Sequence, residues 1–436
     1  MLARQRALKC GAGPPSDDLA FAGVRRGRSS LAVAVLLLSS LAAACGGGPA
    51  GGVDDSPLGQ VRALLRERAG LLAEGDVDGY LAAVAPSAEE AERAFAEGAA
   101  AVPLAYANVT FRPRGARSTA TSFRDADVQL VYRYEGLPAD NQFRMSFEYD
   151  VERRGERWLV TRSEMVTAGD EGFSGPPIWA TGPVAASRSD HFLALYRPGL
   201  TNAERALAAA EEARKGLAER IEVLELDPVN LVLLAGSEEE YAELTGRATD
   251  AGELAAARFV FNSLGGPESR QMMFKADVVV GDGEPTLGEG GEILPAAQVF
   301  QHELAHLALS RHAGPFTPGW AVEGAAMYLA GERRVAAWRV GLASGAFGGM
   351  SLAGMQPGLS DGLQYAYANA AVLHLIDEHG PERFFDLYAG FRPLRPTPEF
   401  ARDPMGIVLS THYGLDVAQL DRLTRAYIER AVAGSG

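Results

Sequence analysis

A chain of 436 residues that is 47% hydrophobic and 22% charged has the composition of folded domains, with material for two or three cores, which excludes disorder throughout. The formal net charge is -15; Arg4, Arg6, Lys9, Arg25, Arg26 and Arg28 against Asp17 and Asp18 put +4 in residues 1–45 and leave -19 for the rest. A body of that sign excludes nucleic-acid binding, which needs clustered Lys and Arg to neutralise phosphates.

Residues 31–44 (LAVAVLLLSSLAAA) form an apolar run behind Arg25, Arg26 and Arg28, the layout of an export signal. The run is too short to span a bilayer comfortably. It ends in Leu41-Ala42-Ala43-Ala44-Cys45 followed by glycines, which resembles a bacterial lipobox, with Ala42 where a large aliphatic residue is commoner. The resemblance implies a signal peptide over 1–45 and lipidation of Cys45; a plain signal peptide cleaved nearby is the other reading. Cys10 is the only other cysteine and falls in the removed segment, so no disulfide framework gives Cys45 another use. The expectation is an exported protein held at the outer side of the cell membrane by a lipid, on a glycine-rich tether over 46–57.

Structure is expected from residue 58. Val61, Leu64, Leu65, Leu71 and Leu72 recur at helical spacing, Gly75 and Asp76 stop one helix and cap the next, and Tyr80, Leu81 and Val84 follow. Val128, Leu130, Tyr132 and Tyr134 then alternate with polar residues, as do Phe143, Met145, Phe147, Tyr149 and Val151, so each run is a strand with one buried face. Gly155 turns the chain into a last strand with Trp158 and Val160. Helices followed by an antiparallel sheet that closes in a Trp strand resemble the NTF2-like cone, over 58–165. No cluster of titratable residues marks this part as catalytic, and a docking or spacer role is expected of it.

A Gly and Pro rich linker spans 166–184. Beyond it come an apolar strand around His191 to Tyr196, a helix from Asn202 to Ile221, a buried strand Leu231 to Leu234, and a capping box Ser237-Glu238-Glu239-Glu240. Strands near Arg258 to Phe261 and Asp277 to Val280 precede an acidic glycine loop, Gly281 to Gly291, and the chain is mainly helical from Leu294 onward.

His302-Glu303-Leu304-Ala305-His306 is an HExxH sequence inside a helix predicted from Pro295 to about Arg311. Four residues turn a helix by about 400 degrees, so His302 and His306 stand one above the other and can aim two imidazole nitrogens at one metal ion. Glu303 is offset by one position, beside the metal and able to take a proton from water. Val299, Leu304, Leu307 and Ala308 form the opposite, core-facing side. A catalytic zinc takes three protein ligands and keeps a place for water. Seventeen residues past His306 lies Glu323, within Trp320-Ala321-Val322-Glu323-Gly324, after Gly314, Pro315 and Pro318 have broken the first helix. His312 is the rival ligand at metzincin spacing. Metzincins need glycine where this chain has Leu309, and a helix continuing through Leu309 turns His312 to another face.

HExxH followed by W-x-x-E-G-x-A-x-Y (Trp320 to Tyr328) resembles the gluzincin metallopeptidases, in particular the peptidase MA-like group. The likeness in element order extends over about 185–432 and places a peptidase domain over 185–436. It implies an α+β architecture in which the cone is followed by a thermolysin-like zincin domain, a small sheet and then a mainly helical part. It further implies zinc on His302, His306 and Glu323, with Glu303 as general base and a phenol donor for the oxyanion. Within Tyr365 to Gly380 (YAYANAAVLHLIDEHG) that donor is Tyr365, with Tyr367 in reserve because the polar pair usual after this tyrosine is replaced by Ala366-Tyr367. The partners implied are a peptide or protein substrate and, through Cys45, the membrane. Two alternatives stand beside this peptidase: a lipoprotein that binds zinc or a partner without turnover, and a metzincin-like peptidase using His312.

Overall fold

The computed structural model describes residues 54–166, 176–220, 224–245, 255–261, 267–279, 295–355, 361–393 and 395–434. The export segment with Cys45, the tether up to residue 53, the acidic loop 281–291 and positions 167–175 of the linker lie outside the described residues. Among the described residues no helix is long and apolar enough to cross a membrane.

Three helices come first: α1 (Pro57–Glu74), α2 (Val77–Leu81) and α3 (Glu89–Ala100). Ser56 and Asp76 cap the first two through side-chain oxygens that accept from the Gly59 and Gly79 N–H groups, and Gly75 ends α1 in the left-handed conformation. An antiparallel meander follows, β1 (Leu104–Arg112), β2 (Ser122–Tyr134), β3 (Phe143–Arg154) and β4 (Arg157–Met165), in that spatial order. The predicted alternation is realised as register: Val128 faces Phe147, Leu130 faces Met145 and Tyr132 faces Phe143, all buried. β1 carries no such signal because most of its residues are exposed or half-buried. The described end of the linker is anchored rather than open. Trp179 is buried, its indole N–H donates to the Tyr134 hydroxyl at 3.0 Å, and its carbonyl oxygen lies 1.9 Å from where a Cβ on Gly98 would be.

The second sheet contains β5 (Ala185–Arg188), β6 (Phe192–Tyr196), β7 (Asn230–Ala235), β8 (Ala255–Phe261) and β9 (Pro267–Lys275), in the order β5-β6-β7-β9-β8. β6, β7 and β9 are parallel, and the outer strands β5 and β8 are antiparallel to their neighbours. The crossover from β6 to β7 is α4 (Ala203–Ala218), as parallel pairing requires. After β7 comes α5 (Glu238–Thr245), where Ser237 Oγ accepts from the Glu240 N–H at 3.2 Å while the Glu240 carboxylate accepts from the Gly236 N–H at 2.7 Å.

The inner strands of this sheet are apolar without alternation because both faces are covered. Phe192, Ala194, Val232, Leu234, Met272 and Phe274 join the core formed with the helices. Their neighbours Leu193, Leu195, Leu231, Leu233 and Met273 join the core of α1–α3 and β1–β4. The N-terminal layer is thus the cover of the second sheet's back.

One predicted strand is corrected. Lys275 ends β9, and Ala276–Val279 is a short helix, α6, with Asn202 donating to the Ala276 carbonyl at 2.7 Å. The valines of this run favour a strand, but the chain leaves the sheet here and that tertiary turn overrides propensity. The remainder is helical: α7 (Ala296–Leu309), α8 (Gly319–Ala330), α9 (Val335–Ser344), α10 (Gly362–His379), α11 (Pro381–Gly390), α12 (Pro398–Arg402), α13 (Pro404–Tyr413) and α14 (Val417–Gly434). The architecture is the mixed α+β kind that the sequence implies.

Candidate metal centre

Pro295 opens α7 and the predicted apolar face, Val299, Leu304, Leu307 and Ala308, is buried in the core. Leu309 stays helical, and the chain then turns, with the His312 and Ala313 N–H groups both donating to the Leu309 carbonyl at 2.8 and 2.9 Å. It returns through Pro318 into α8, an almost wholly buried helix that ends at Gly331 with φ 74. Two contacts set the register of α7 on α8: Gln301 and Gln298 donate to the Leu329 and Ala330 carbonyls at 2.9 and 3.4 Å, satisfying groups a helix end leaves unpaired. Gly324 lets α8 close on α10, since a Cβ there would lie 2.4 Å from Val372 Cγ2 and 2.7 Å from the Ala368 carbonyl oxygen. The glycine beside Glu323 is therefore a packing requirement.

Among the described residues, His302, His306 and Glu323 are brought together as a group able to hold a metal ion. The two Nε2 atoms are 3.1 Å apart, and one oxygen, Glu323 Oε2, lies 3.5 Å from His302 Nε2 and 3.4 Å from His306 Nε2. Donors bound tetrahedrally at about 2.0–2.1 Å must stand about 3.3 Å apart, so all three edges of this triangle fit zinc. His312 is not in the group; it is half-buried, and burial together with Arg392 and Arg311 holds its imidazole below the ordinary value.

Sequence reasoning missed the carboxylate that orients this triangle. Glu332 follows Gly331 at the end of α8, where its N–H donates to the Met327 carbonyl at 2.8 Å. Its Oε1 is 2.8 Å from His302 Nδ1, and its Oε2 is 2.7 Å from an Arg334 terminal nitrogen. A proton on Nδ1 shared with Glu332 leaves the Nε2 lone pair for the metal. Asn369 on α10 fixes the loop, donating to the Glu332 carbonyl at 3.2 Å and accepting from the Arg334 N–H at 3.3 Å. The signal in the sequence was only a charged E-R-R after a C-cap glycine, which ordinarily reads as a solvated turn.

The charges act together. Burial disfavours the His302 cation, but Glu332 and Glu323 outweigh it and hold the imidazole well above its ordinary value. Burial likewise opposes ionisation of Glu323, and His306 and His302 overcome that and hold its carboxyl well below the usual range. Glu303 goes the other way: burial pushes its carboxyl up, against the pull of both histidines, and the Ala257 backbone of β8 hydrogen-bonds to it. Three carboxylates and one arginine around two imidazoles leave an excess of negative charge, which suits a divalent cation. Replacing Glu332 by alanine is expected to weaken zinc binding about 10 to 100-fold in a chelator competition, because His302 loses its orienting partner. Undiminished affinity would show that His302 is held by packing alone.

Tyr367 does not join the cluster: its hydroxyl donates to the Asp421 carbonyl at 3.0 Å and accepts from Arg425 at 3.2 Å, deep in the core. Tyr365 lies half-buried on α10 against the same core. Tyr388 on α11 is wholly buried, and its phenol is raised by burial and by the negative charge of Glu323, which places it within electrostatic reach of the metal group.

No family model matches this chain, and no curated protein matches it. Among solved structures it is similar to the M1 zinc metallopeptidase from Deinococcus radiodurans, with 15% identity and a TM-score of 0.32 over 70% of this chain and 62% of that one. A substituted form of the Deinococcus radiodurans enzyme bound to a Tyr-Ser-Ala substrate gives 13% and 0.29 over 70% and 62%. A two-domain M1 zinc metallopeptidase bound to L-arginine gives 15% and 0.33 over 74% and 63%. The chain spans less than two thirds of the length of these structures. At such scores the likeness carries no weight of its own, and the site stands on its geometry.

Proposed function

We propose that the chain is an exported, lipid-anchored zinc metallopeptidase in which His302, His306 and Glu323 hold the metal. The observation that carries this reading is the zinc-sized triangle of two Nε2 atoms and one carboxylate oxygen, with a fourth side chain, Glu303, buried beside it and not part of it. A structural metal site has no use for that extra carboxylate.

Zinc, when bound there, supplies Lewis acidity toward water and a carbonyl oxygen. The chain's own residues do the rest. Glu303 takes a proton from water on its carboxylate as the water adds to the scissile carbonyl, and delivers that proton to the leaving amine nitrogen. Tyr365 donates a hydrogen bond from its phenol to the developing oxyanion and keeps its proton. β8, the outer strand whose Ala257 backbone meets Glu303, is the strand along which an extended peptide would lie by strand addition. The order of helices and meander over 58–165 supports an NTF2-like cone for the N-terminal part.

Purified protein is expected to cleave members of a random peptide library, to stop when a chelator removes the metal, and to recover with added zinc. Cleavage that persists in the metal-free protein would sink the proposal. The anchor rests on the apolar run that ends at Cys45, and Cys45→Ser is expected to move the protein from the membrane fraction to the soluble one. Unchanged membrane association would mean a different anchor.

A further inference from the structure

The guanidinium of Arg270, on β9, is wholly buried, and each of its three nitrogens has a carboxylate partner. Nε donates to Asp227 Oδ2 at 3.0 Å, and the two terminal nitrogens donate to the two oxygens of Asp140 at 3.1 Å each. Asp140 belongs to the loop between β2 and β3, in the N-terminal layer. Its neighbour Asn141, 1% exposed, donates to the Arg270 carbonyl at 3.1 Å and accepts from the Arg270 N–H at 2.8 Å. One loop of the first sheet therefore grips both the backbone and the side chain of a single residue in the second.

The chain of contacts continues to the metal helix. The other oxygen of Asp227 accepts from Arg311 at 2.5 Å, and the same Arg311 nitrogen lies 3.7 Å from Asp140. Arg311 stands two residues past the end of α7 and five past His306, and its carbonyl accepts from Arg392 beyond α11. Two arginines and two aspartates balance in charge. Adhesion between the layers is already provided by Leu193, Leu231, Leu233 and Met273 in the shared apolar core. What apolar contact cannot give is a fixed angle and height, and a planar two-pronged Arg–carboxylate contact gives both.

We propose that Asp140 is a positioning residue for the metal centre. Through Arg270 and Asp227, and by its approach to Arg311, it holds the C-terminal end of α7, and with it His306, at a set height over the sheet. The N-terminal layer thereby tunes metal affinity from the far side of that sheet. This rests on the reading of His302, His306 and Glu323 as a zinc site.

The test uses the full chain and measures zinc affinity by chelator competition, together with melting of the metal-free and zinc-loaded forms. Asp140→Asn is expected to weaken zinc about tenfold, the low end of the range for residues behind a metal ligand, and to shrink the rise in melting temperature that zinc confers. Arg114→Gln, which removes an exposed partner of Asp127 and Glu148 on the same sheet, is the control and leaves zinc affinity unchanged. If Asp140→Asn does not fold, Arg311→Lys keeps the charge, loses the fork, and is expected to weaken zinc in the same way. Equal zinc affinity in wild type and variant, with both melting temperatures lowered alike, would overturn the positioning role and leave only adhesion. A wild-type chain that takes up no zinc would instead overturn the metal reading itself.

Discussion

Replacing Glu323 by alanine is expected to empty the metal site and abolish peptide hydrolysis. Two imidazoles remain, and two ligands do not hold a catalytic zinc firmly. Glu332 cannot take the place of Glu323, since it is occupied by His302 and Arg334. The paired substitution is His312→Ala, and there zinc and turnover are expected to survive, because the chain turns at Leu309 and keeps that imidazole out of the cluster. Metal analysis of the two purified variants side by side decides the ligand set. Zinc kept by the Glu323 variant and lost by the His312 variant would transfer the third ligand to His312 and leave HExxH intact.

Glu303→Gln tests the base rather than the metal. Glutamine has the same shape as the 8% exposed glutamate and can still accept from the Ala257 backbone, so folding and zinc content are expected to stay as in wild type. Turnover is expected to fall by about 100 to 10,000-fold, the range of general-base assistance. Near wild-type cleavage by this variant would remove Glu303 from the mechanism. Tyr365→Phe in the same assay is expected to lower turnover by roughly 10 to 1,000-fold with zinc intact. A lowered melting temperature at preserved rate would make Tyr365 a packing residue, as the burial of Tyr367 already makes its neighbour.

The parts of the site that could be read from sequence are those written in local spacing. His302, Glu303 and His306 share one helix, so periodicity alone brings them together, and Glu323 is announced by a motif on the next helix. Glu332 and Tyr388 are different in kind. Nothing in the residues around Glu332 distinguishes a buried carboxylate under His302 from a solvated turn, and only the packing of α8 on α10 at Gly324, with Asn369 gripping the loop, decides it. The same division holds for the fold. β2 and β3 are legible because one face of each is wet, whereas β1 has no apolar stripe and residues 276–279 carry a strand composition into a helix. Asp140 and Asn141 look like an ordinary polar hairpin loop, since their partner Arg270 is 129 residues or more away along the chain.

The second sheet is apolar on both sides, and that bears on how such a chain can be cut and rejoined. A metal-binding half prepared without residues 54–165 would turn Leu193, Leu195, Leu231, Leu233 and Met273 toward water as one contiguous greasy plate, the kind of surface on which copies stick to one another. The N-terminal half alone would in turn lose the lid over its own interior. Neither piece is a portable cassette, and any fusion, truncation or recombination that keeps the metal site in working form has to carry both.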